Sequence, residues 1–509
     1  MKYGKLSRQL TALAGPIFIE TLLVMMLGAV DTFMLSRHSD NSVAAVGVVN
    51  QLMNLVFLLF EVISLGTSIL CSQYIGAGRR DKVIQVVGIS LMFNLLSGIL
   101  ISCCLLFFAE DLLLMMGLRP DLMAYGLPYM KIVGGFAFFQ ALSLSLSASL
   151  RSADKAKYPM YVSVVVNILN IIGNYTLIFG KFGMPALGVE GAAISTSFCR
   201  FVSVVILFVV LFRKHIPSFP KELFTPFPWI ELKNLLKIGI PSAGEHMSYS
   251  LSQVVITYFI NMISNQALAT RSYVTNIVMF TYIFALALAQ GGAILIGHLV
   301  GMKKIKAAYT IGKRVMRLGA AMSVSLSLLT AIFGKHILGM LTSDPWIIAT
   351  GASILWVEVL LENGRALNFF GVNALRSAGD IYFPVILGII VMWGVQVVGS
   401  YIPGITLGWG LIVTTGGTGL SPRDTTPEAL IPELDRRLPG FEQVMFAEGL
   451  KHTPHAVLSR CLAGTIGTSM VIALPGSRKA AEENLSAILP VLPHALEKLN
   501  GDMRDCGRT

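Results

Sequence analysis

Between residues 10 and 402 the chain is a succession of apolar segments of about 20 or more residues, separated by short basic loops. A helix of that length crosses the ~30 Å hydrocarbon layer of a bilayer. The pattern recurs along four hundred residues, which excludes a cleaved signal peptide and a single anchor. Charged residues make up 13% of the 509, about half the ~25% of soluble domains, so the chain reads as a polytopic α-helical membrane protein.

The apolar windows predict spans near 10–35, 44–75, 83–108, 122–150, 159–180, 189–212, 236–263, 271–300, 311–333, 348–375 and 382–402. Lys2, Lys5 and Arg8 precede the first span, and Arg79, Arg80 and Lys82 follow the second. Lys303, Lys304, Lys306, Lys313, Arg314 and Arg317 follow the eighth. Basic loops stay in the cytoplasm, so the amino terminus is expected inside a plasma (inner) membrane, with lipid as its surroundings. The loop AEDLLLMMGLRPD sets Glu110, Asp111 and Asp121 against Arg119 and fits the outer face. The six cysteines show no CxxC or metal spacing, which argues against a disulfide framework or a metal site. Nothing points to a nucleic-acid partner.

LRSADKAKYP at 150–159 and LRSAGDIYFP at 375–384 share Leu, Arg, Ser, Ala and Pro at an offset of 225. The same offset joins Pro16 to Pro241, Glu20 to Glu245 and Gly76 to Gly301. Six helices per interval return the chain to its starting side, so the halves are expected to be parallel repeats about an axis along the membrane normal. The predicted organisation is a first repeat over 1–215, a second, truncated one over 216–404, and a separate carboxy-terminal piece over 411–509.

The segments GPIFIETLLVMMLGAVDTFMLSR, QYIGAGRRDKV, SLRSADKAKYPMYVSVVVNILNIIGNYTLIFG, PALGVEGAAISTSFCR, LKIGIPSAGEHM and ALRSAGDIYFPV together resemble the multidrug and toxic compound extrusion (MATE) transporters, over residues ~5–405. The resemblance implies an antiporter driven by sodium or protons that expels amphipathic, often cationic, small organic compounds. It implies twelve helices where eleven are counted.

An acid inside hydrocarbon costs a few kcal/mol even on lenient scales, which makes each one a functional candidate. Asp31 matches the family's cation-site aspartate; the alternative is a helix-end residue bonding Thr32 or Ser36. Asn170 and Asn174 lie four apart on one face of the fifth span. Many family members carry Asp where Asn174 stands, so this site offers neutral oxygen rather than a second carboxylate. Glu245 resembles the acid of the second lobe and follows Pro241 by one turn, as Glu20 follows Pro16. Glu362 is expected to pair with Arg365, leaving Glu358 free in the cavity. The spans thus offer acids rather than the arginine-lined cavity of a lipid-linked oligosaccharide flippase. Arg151, Asp154, Arg376 and Asp380 belong to the repeated motif. There Arg/Asp pairing at a turn is the structural reading, and resemblance makes Asp380 a coupling candidate. Tyr249 and Tyr273 could stack on a flat cation.

From Leu411 onward the chemistry changes. The stretch 411–509 holds 11 acids and 10 bases, so the net charge of +11 belongs to the preceding loops. LIVTTGGTG reads as a strand entering a glycine loop. TTPEALIPELDRRL opens as a helix capped by Thr425 or Thr426, and TSMVIALPGSRKAAEENLSAIL repeats the scheme. A strand, a glycine loop and a helix start make a cradle of N–H groups for an anion. TTGGTGLSPRDTTPEA, LSRCLAG and LPGSRKA resemble the molybdopterin-binding domain of molybdopterin adenylyltransferases. By that resemblance Gly416, Gly417, Thr418 and Gly419 cradle the substrate, Pro475, Gly476 and Ser477 line the pterin side, and Asp424 is the catalytic acid, with Mg2+ and ATP as co-reactants. The family's first strands and helix are absent, and the likeness to both families breaks at 405–412. A misassembled or chimeric reading frame with an inactive tail therefore fits better than a bifunctional protein.

Overall fold

The computed structural model describes residues 3–216, 219–261, 265–401, 411–415, 418–419, 421, 424–466 and 469–499. They form two compact units, Met1–Ser248 with Thr270–Ile389, and Tyr249–Ala269 with Ile390–Thr509.

Each of the eleven expected spans is helical over most of its described residues. They are α1 (Tyr3–Ser36), α2 (Asp40–Gly76), α3 (Arg80–Phe107) with the short α4 (Ala109–Met115), α5 (Pro120–Gly135) with α6 (Ala137–Ser152), α7 (Lys157–Phe179) and α8 (Val189–Lys214). The second set is α9 (Trp229–Asn261), α10 (Asn265–Gly301), α11 (Ile305–Ile332) with the short α12 (Gly334–Leu341), α13 (Pro345–Ala378) and α14 (Tyr382–Ile390). A π-helical segment, Val391–Val397, and α15 (Val398–Tyr401) continue the last of them. Among the described residues eight helices are long and apolar enough to cross a membrane, or nine when α5 and α6, bent by 44°, count as one span. The single span expected at 122–150 is thus two helices broken at Phe136.

The repeat is written into the element boundaries. The starts of α2 and α10, α3 and α11, α4 and α12, α5 and α13, and α7 and α14 are all related by the offset of 225 found in the motifs. The turns correspond as well. Gly78 and Lys303 are both left-handed (φ 72° and 60°), as are Asp154 and Gly379 (φ 61° and 105°), each pair at the same offset. An L side chain in that region is strained, so Lys303 and Asp154 hold a conformation that the shared turn imposes. Helix α8 breaks the series: the position equivalent to Val189 is Thr414, inside a β-strand.

Lipid solvation turns the usual helix inside out. On α7, Asn167, Asn170 and Asn174 are buried, whereas Ile168, Ile171 and Ile172 are exposed. Apolar tails make no demand on exposed isoleucines, while an amide must find a partner inside the protein. The interiors are close-packed by residues such as Met53, Phe60, Met130 and Ala141 in the first repeat and Leu288, Leu295, Val315 and Phe370 in the second.

In the carboxy-terminal region the strands β1 (Leu411–Thr415), β2 (Arg436–Arg437), β3 (Leu462–Ile466) and β4 (Ser469–Leu474) form one sheet in the order β1-β4-β3-β2. β1 runs parallel to β4, and the other pairings are antiparallel. Helices α16 (Thr426–Leu430), α17 (Pro439–His452), α18 (Arg478–Ile488) and α19 (Leu492–Leu499) complete it. Met445, Ile472, Leu474, Ile488 and Leu492 make its core. Thr425 stands at the cap of α16 with Pro427 in its first turn, as expected, but the helix is only one turn long. Among the described residues β1 is paired on one side only.

Candidate functional site

In the first repeat, α1 and α7 bring Asp31 and the two asparagines together. Asn174 Nδ2 donates to Asp31 Oδ1 at 2.5 Å and to Asn170 Oδ1 at 3.1 Å. Asn170 Nδ2 in turn donates to Thr196 Oγ1 of α8 at 3.5 Å. Both asparagines are fully buried, and Asn174 Oδ1 has no hydrogen-bond partner. Asp31 is therefore not capping its own helix end: Thr32 and Ser36 bond the backbone carbonyls of Gly28 and Phe33 instead. Sequence reasoning overlooked Arg200 of α8, whose guanidinium lies 4.9 Å from the Phe57 ring centroid and acts electrostatically on Asp31. The desolvation argument that picked out the acids applies equally to an arginine in SFCR and was the available signal.

Glu20 and Glu245 find partners in the repeated motif. Arg151 Nη1 lies 3.3 Å from Glu20 Oε1, and Arg376 is ion-paired with Glu245. These pairs correct the expectation that the motif's arginines bond its own aspartates. Asp154 lies 3.9 Å from His298 Nδ1, and Asp380 is exposed and accepts from the backbone N–H of Phe383 at 3.3 Å, capping α14. The structure does not bring Asp380 together with the other coupling candidates.

Glu358 is not free, contrary to expectation. Arg365 pairs with Glu362 and also reaches Glu358 Oε2 at 3.3 Å, while its guanidinium lies 5.7 Å from the Tyr282 ring centroid. The spans consequently offer acid–arginine combinations rather than acids alone. Tyr249 is exposed, and Tyr273 packs half-buried against Val274, Ile277 and Leu338.

In the tail, Gly416 and Gly417 lie outside the described residues. Thr418 is buried, and its backbone carbonyl accepts from the Arg460 N–H at 2.7 Å. The Arg460 side chain donates to the carbonyls of Gly419 at 2.9 Å and Asp424 at 2.5 Å, and pairs with Glu428. Asp424 Oδ2 accepts from the Ser421 N–H at 2.9 Å, so this acid is committed to shaping its own loop. Ser477 caps α18 by accepting from the Ala480 N–H, and Gly476 beside it is exposed. Pro475 lines a cleft of about 210 Å³ with Glu442, Cys461 and Asn484. Burial pushes the Cys461 thiol up from its ordinary range.

The MatE family model matches residues 16–176 and again 241–402. The chain belongs to the MatE family. The two matches start at Pro16 and Pro241, which returns the offset of 225. A relative, the "Uncharacterized transporter YisQ" of Bacillus subtilis (strain 168), is 42% identical over 403 residues, 79% of this chain and 88% of that protein. The solved "Outward-facing conformation of a multidrug resistance MATE family transporter of the MOP superfamily" matches with a TM-score of 0.70 at 20% identity, over 78% of this chain and 88% of that one. That likeness is one of fold. This MatE chain is a multi-pass membrane transporter. Its residues 408–494 match a second model, a probable molybdopterin binding domain. Gephyrin of Dictyostelium discoideum is 53% identical over 90 residues, which are 18% of this chain and 12% of that protein.

Proposed function

We propose that the chain exports small amphipathic organic cations in exchange for sodium ions or protons, by alternating access between repeats 1–215 and 216–404. It does so in the plasma (inner) membrane with a cytoplasmic amino terminus. The observation that carries this reading is the Asp31–Asn174–Asn170 chain, in which both asparagines are fully buried and Asp31 half-buried. A carboxylate held by amides, with one amide oxygen unpartnered, is an oxygen-donor set suited to a hard cation and equally able to hold a proton on Asp31. Glu245 is the coupling candidate of the second repeat, and Glu20, Glu358, Tyr249 and Tyr273 are the cavity candidates. The test is efflux of a fluorescent organic cation from vesicles under an imposed sodium or proton gradient. Asp31→Asn is expected to abolish coupling, and gradient-driven efflux at the normal rate in that variant overturns the assignment.

For the tail, 411–509, the proposal is that it transfers no adenylyl group. Asp424 is tied into its loop, and β1 lacks a second strand neighbour among the described residues. Incubating the purified full chain with molybdopterin, ATP and Mg2+ tests this; an adenylylated product refutes it.

A further inference from the structure

The carboxy-terminal ends of α2 and α10 meet where the repeats exchange hydrogen bonds. Gln73 of α2 donates from Nε2 to the backbone carbonyl of Ser377, at the end of α13, at 2.9 Å. His298 of α10 approaches the backbone carbonyl of Ser152, at the end of α6, with Nε2 at 2.8 Å. A carbonyl only accepts, so Nε2 is the donor. Gln73 and His298 are related by the repeat offset, 225, and so are Ser152 and Ser377. The two bonds are one contact made twice, each reaching from one repeat into the other.

Glycine makes the approach possible. A Cβ on Gly76 would run into the backbone carbonyl oxygen of His298, and one on Gly301 into that of Gln73. These two glycines are again equivalent positions of the repeat. No side chain fits at either position while the helices touch, because the obstructing atoms are backbone. His298, Ser152 and Ser377 are buried and Gln73 is half-buried, so the His298–Ser152 bond is shielded from water and the Gln73–Ser377 bond partly so, and parting the helices strips each donor and acceptor together.

The geometry points to this reciprocal contact as the latch that holds the two repeats shut at the face carrying the amino terminus. Gln73 and His298 are its bolts, and Gly76 and Gly301 are the surfaces on which it closes. The inference rests on the alternating-access reading, in which the repeats must part at that face once per cycle. It adds the residues that set how often they do. The two bolts are chemically unlike, yet each supplies one N–H to one carbonyl. A glutamine at 298 therefore does the work of the histidine, whereas an alanine does not.

Distance measurement between spin labels tests it. Labels at Lys157→Cys and Tyr382→Cys, exposed equivalents at the starts of α7 and α14, are placed in the full chain with its native cysteines replaced. His298→Ala and Gln73→Ala are each expected to raise the ratio of long to short distances about tenfold, the effect of losing one buried hydrogen bond. His298→Gln is expected to leave the ratio within about twofold of the parent, and Gly76→Val with Gly301→Val to abolish the short distance. Unchanged distributions in both alanine variants, or a His298→Gln variant as open as His298→Ala, overturn the latch. The readout needs no transport, so normal coupling in Asp31→Asn would remove Asp31 from the mechanism without touching this result.

Discussion

Arg376 is ion-paired with Glu245, and Arg151 with Glu20, and in both pairs the partners stand at the same sequence separation, 131. Each acid sits one turn after a proline, in α9 and α1, and each arginine sits at the end of the helix that closes the motif LRSA. The contact survives in both repeats although little else of their sequences does. It therefore belongs to the architecture as well as to any coupling role of Glu245.

Removing one member of such a pair leaves a buried charge without its partner, which costs roughly 3–5 kcal/mol. Arg376→Ala is expected to lower stability by that order in chemical unfolding of the purified protein, with Arg376→Ala/Glu245→Ala losing less than Arg376→Ala alone. Glu245→Gln is expected to slow efflux at least as much as Asp31→Asn; a normal rate would remove Glu245 from the mechanism.

Asn174→Asp sets a second carboxyl against Asp31 where an amide now donates at 2.5 Å. Two carboxylates in contact cannot both ionise cheaply, so the pair retains a proton near neutrality. The pH dependence of efflux is expected to differ from the parent's, read from initial rates at several external pH values.

Arg365→Met strands Glu358 and Glu362 together in α13. Two like charges one turn apart repel, and Glu362 is fully buried. A stability loss above about 2 kcal/mol is expected, largely rescued by adding Glu358→Gln and Glu362→Gln. A stable single variant would contradict the charge-balance account.

His215, just past the end of α8, supplies a pH signature. Burial first, then the charges of Lys155 and Arg80, push its imidazole down to about 4. Its folded pKa lies below the ordinary ~6.5, so the neutral ring is favoured by the fold. The associated stability is complete above about pH 6.5, declines as pH falls, and is lost below about 4, up to roughly 3 kcal/mol. His215→Asn is expected to flatten the unfolding free energy over that window.

On the proposed topology, with a cytoplasmic amino terminus and eleven crossings, the chain is expected to reach the outer face before the tail begins, and the later apolar run CLAGTIGTSMVIAL has 14 residues where about 20 are required. Two of its strands, β3 and β4, pair with each other instead of forming a span. Protease added to intact cells is expected to remove the tail and leave the transporter core; a protected tail would reverse the orientation.

Much of this was legible one residue at a time. Hydropathy reports the solvent around a segment, and lipid is a solvent of fixed thickness, so the spans followed from length and apolarity. The offset of 225 followed from four short identities. The α5–α6 bend did not, because apolar content is blind to a break at Phe136. The Glu362–Arg365 pair followed from its spacing, but the distant partners of Glu20 and Glu245 did not, since spacing favours near neighbours.

The sequence by itself determined a helical membrane protein built twice over from one unit, and which acids and amides lie within its spans. Only the tertiary structure decided that Arg151 serves Glu20, that Arg365 holds both Glu362 and Glu358, that Arg200 acts on Asp31, and that Gln73 and His298 trade bonds across the repeats. The reason is physical. The environment of a helix is fixed by the average character of its side chains, whereas an ion pair or a hydrogen bond requires two groups within about 3 Å, which only packing can place.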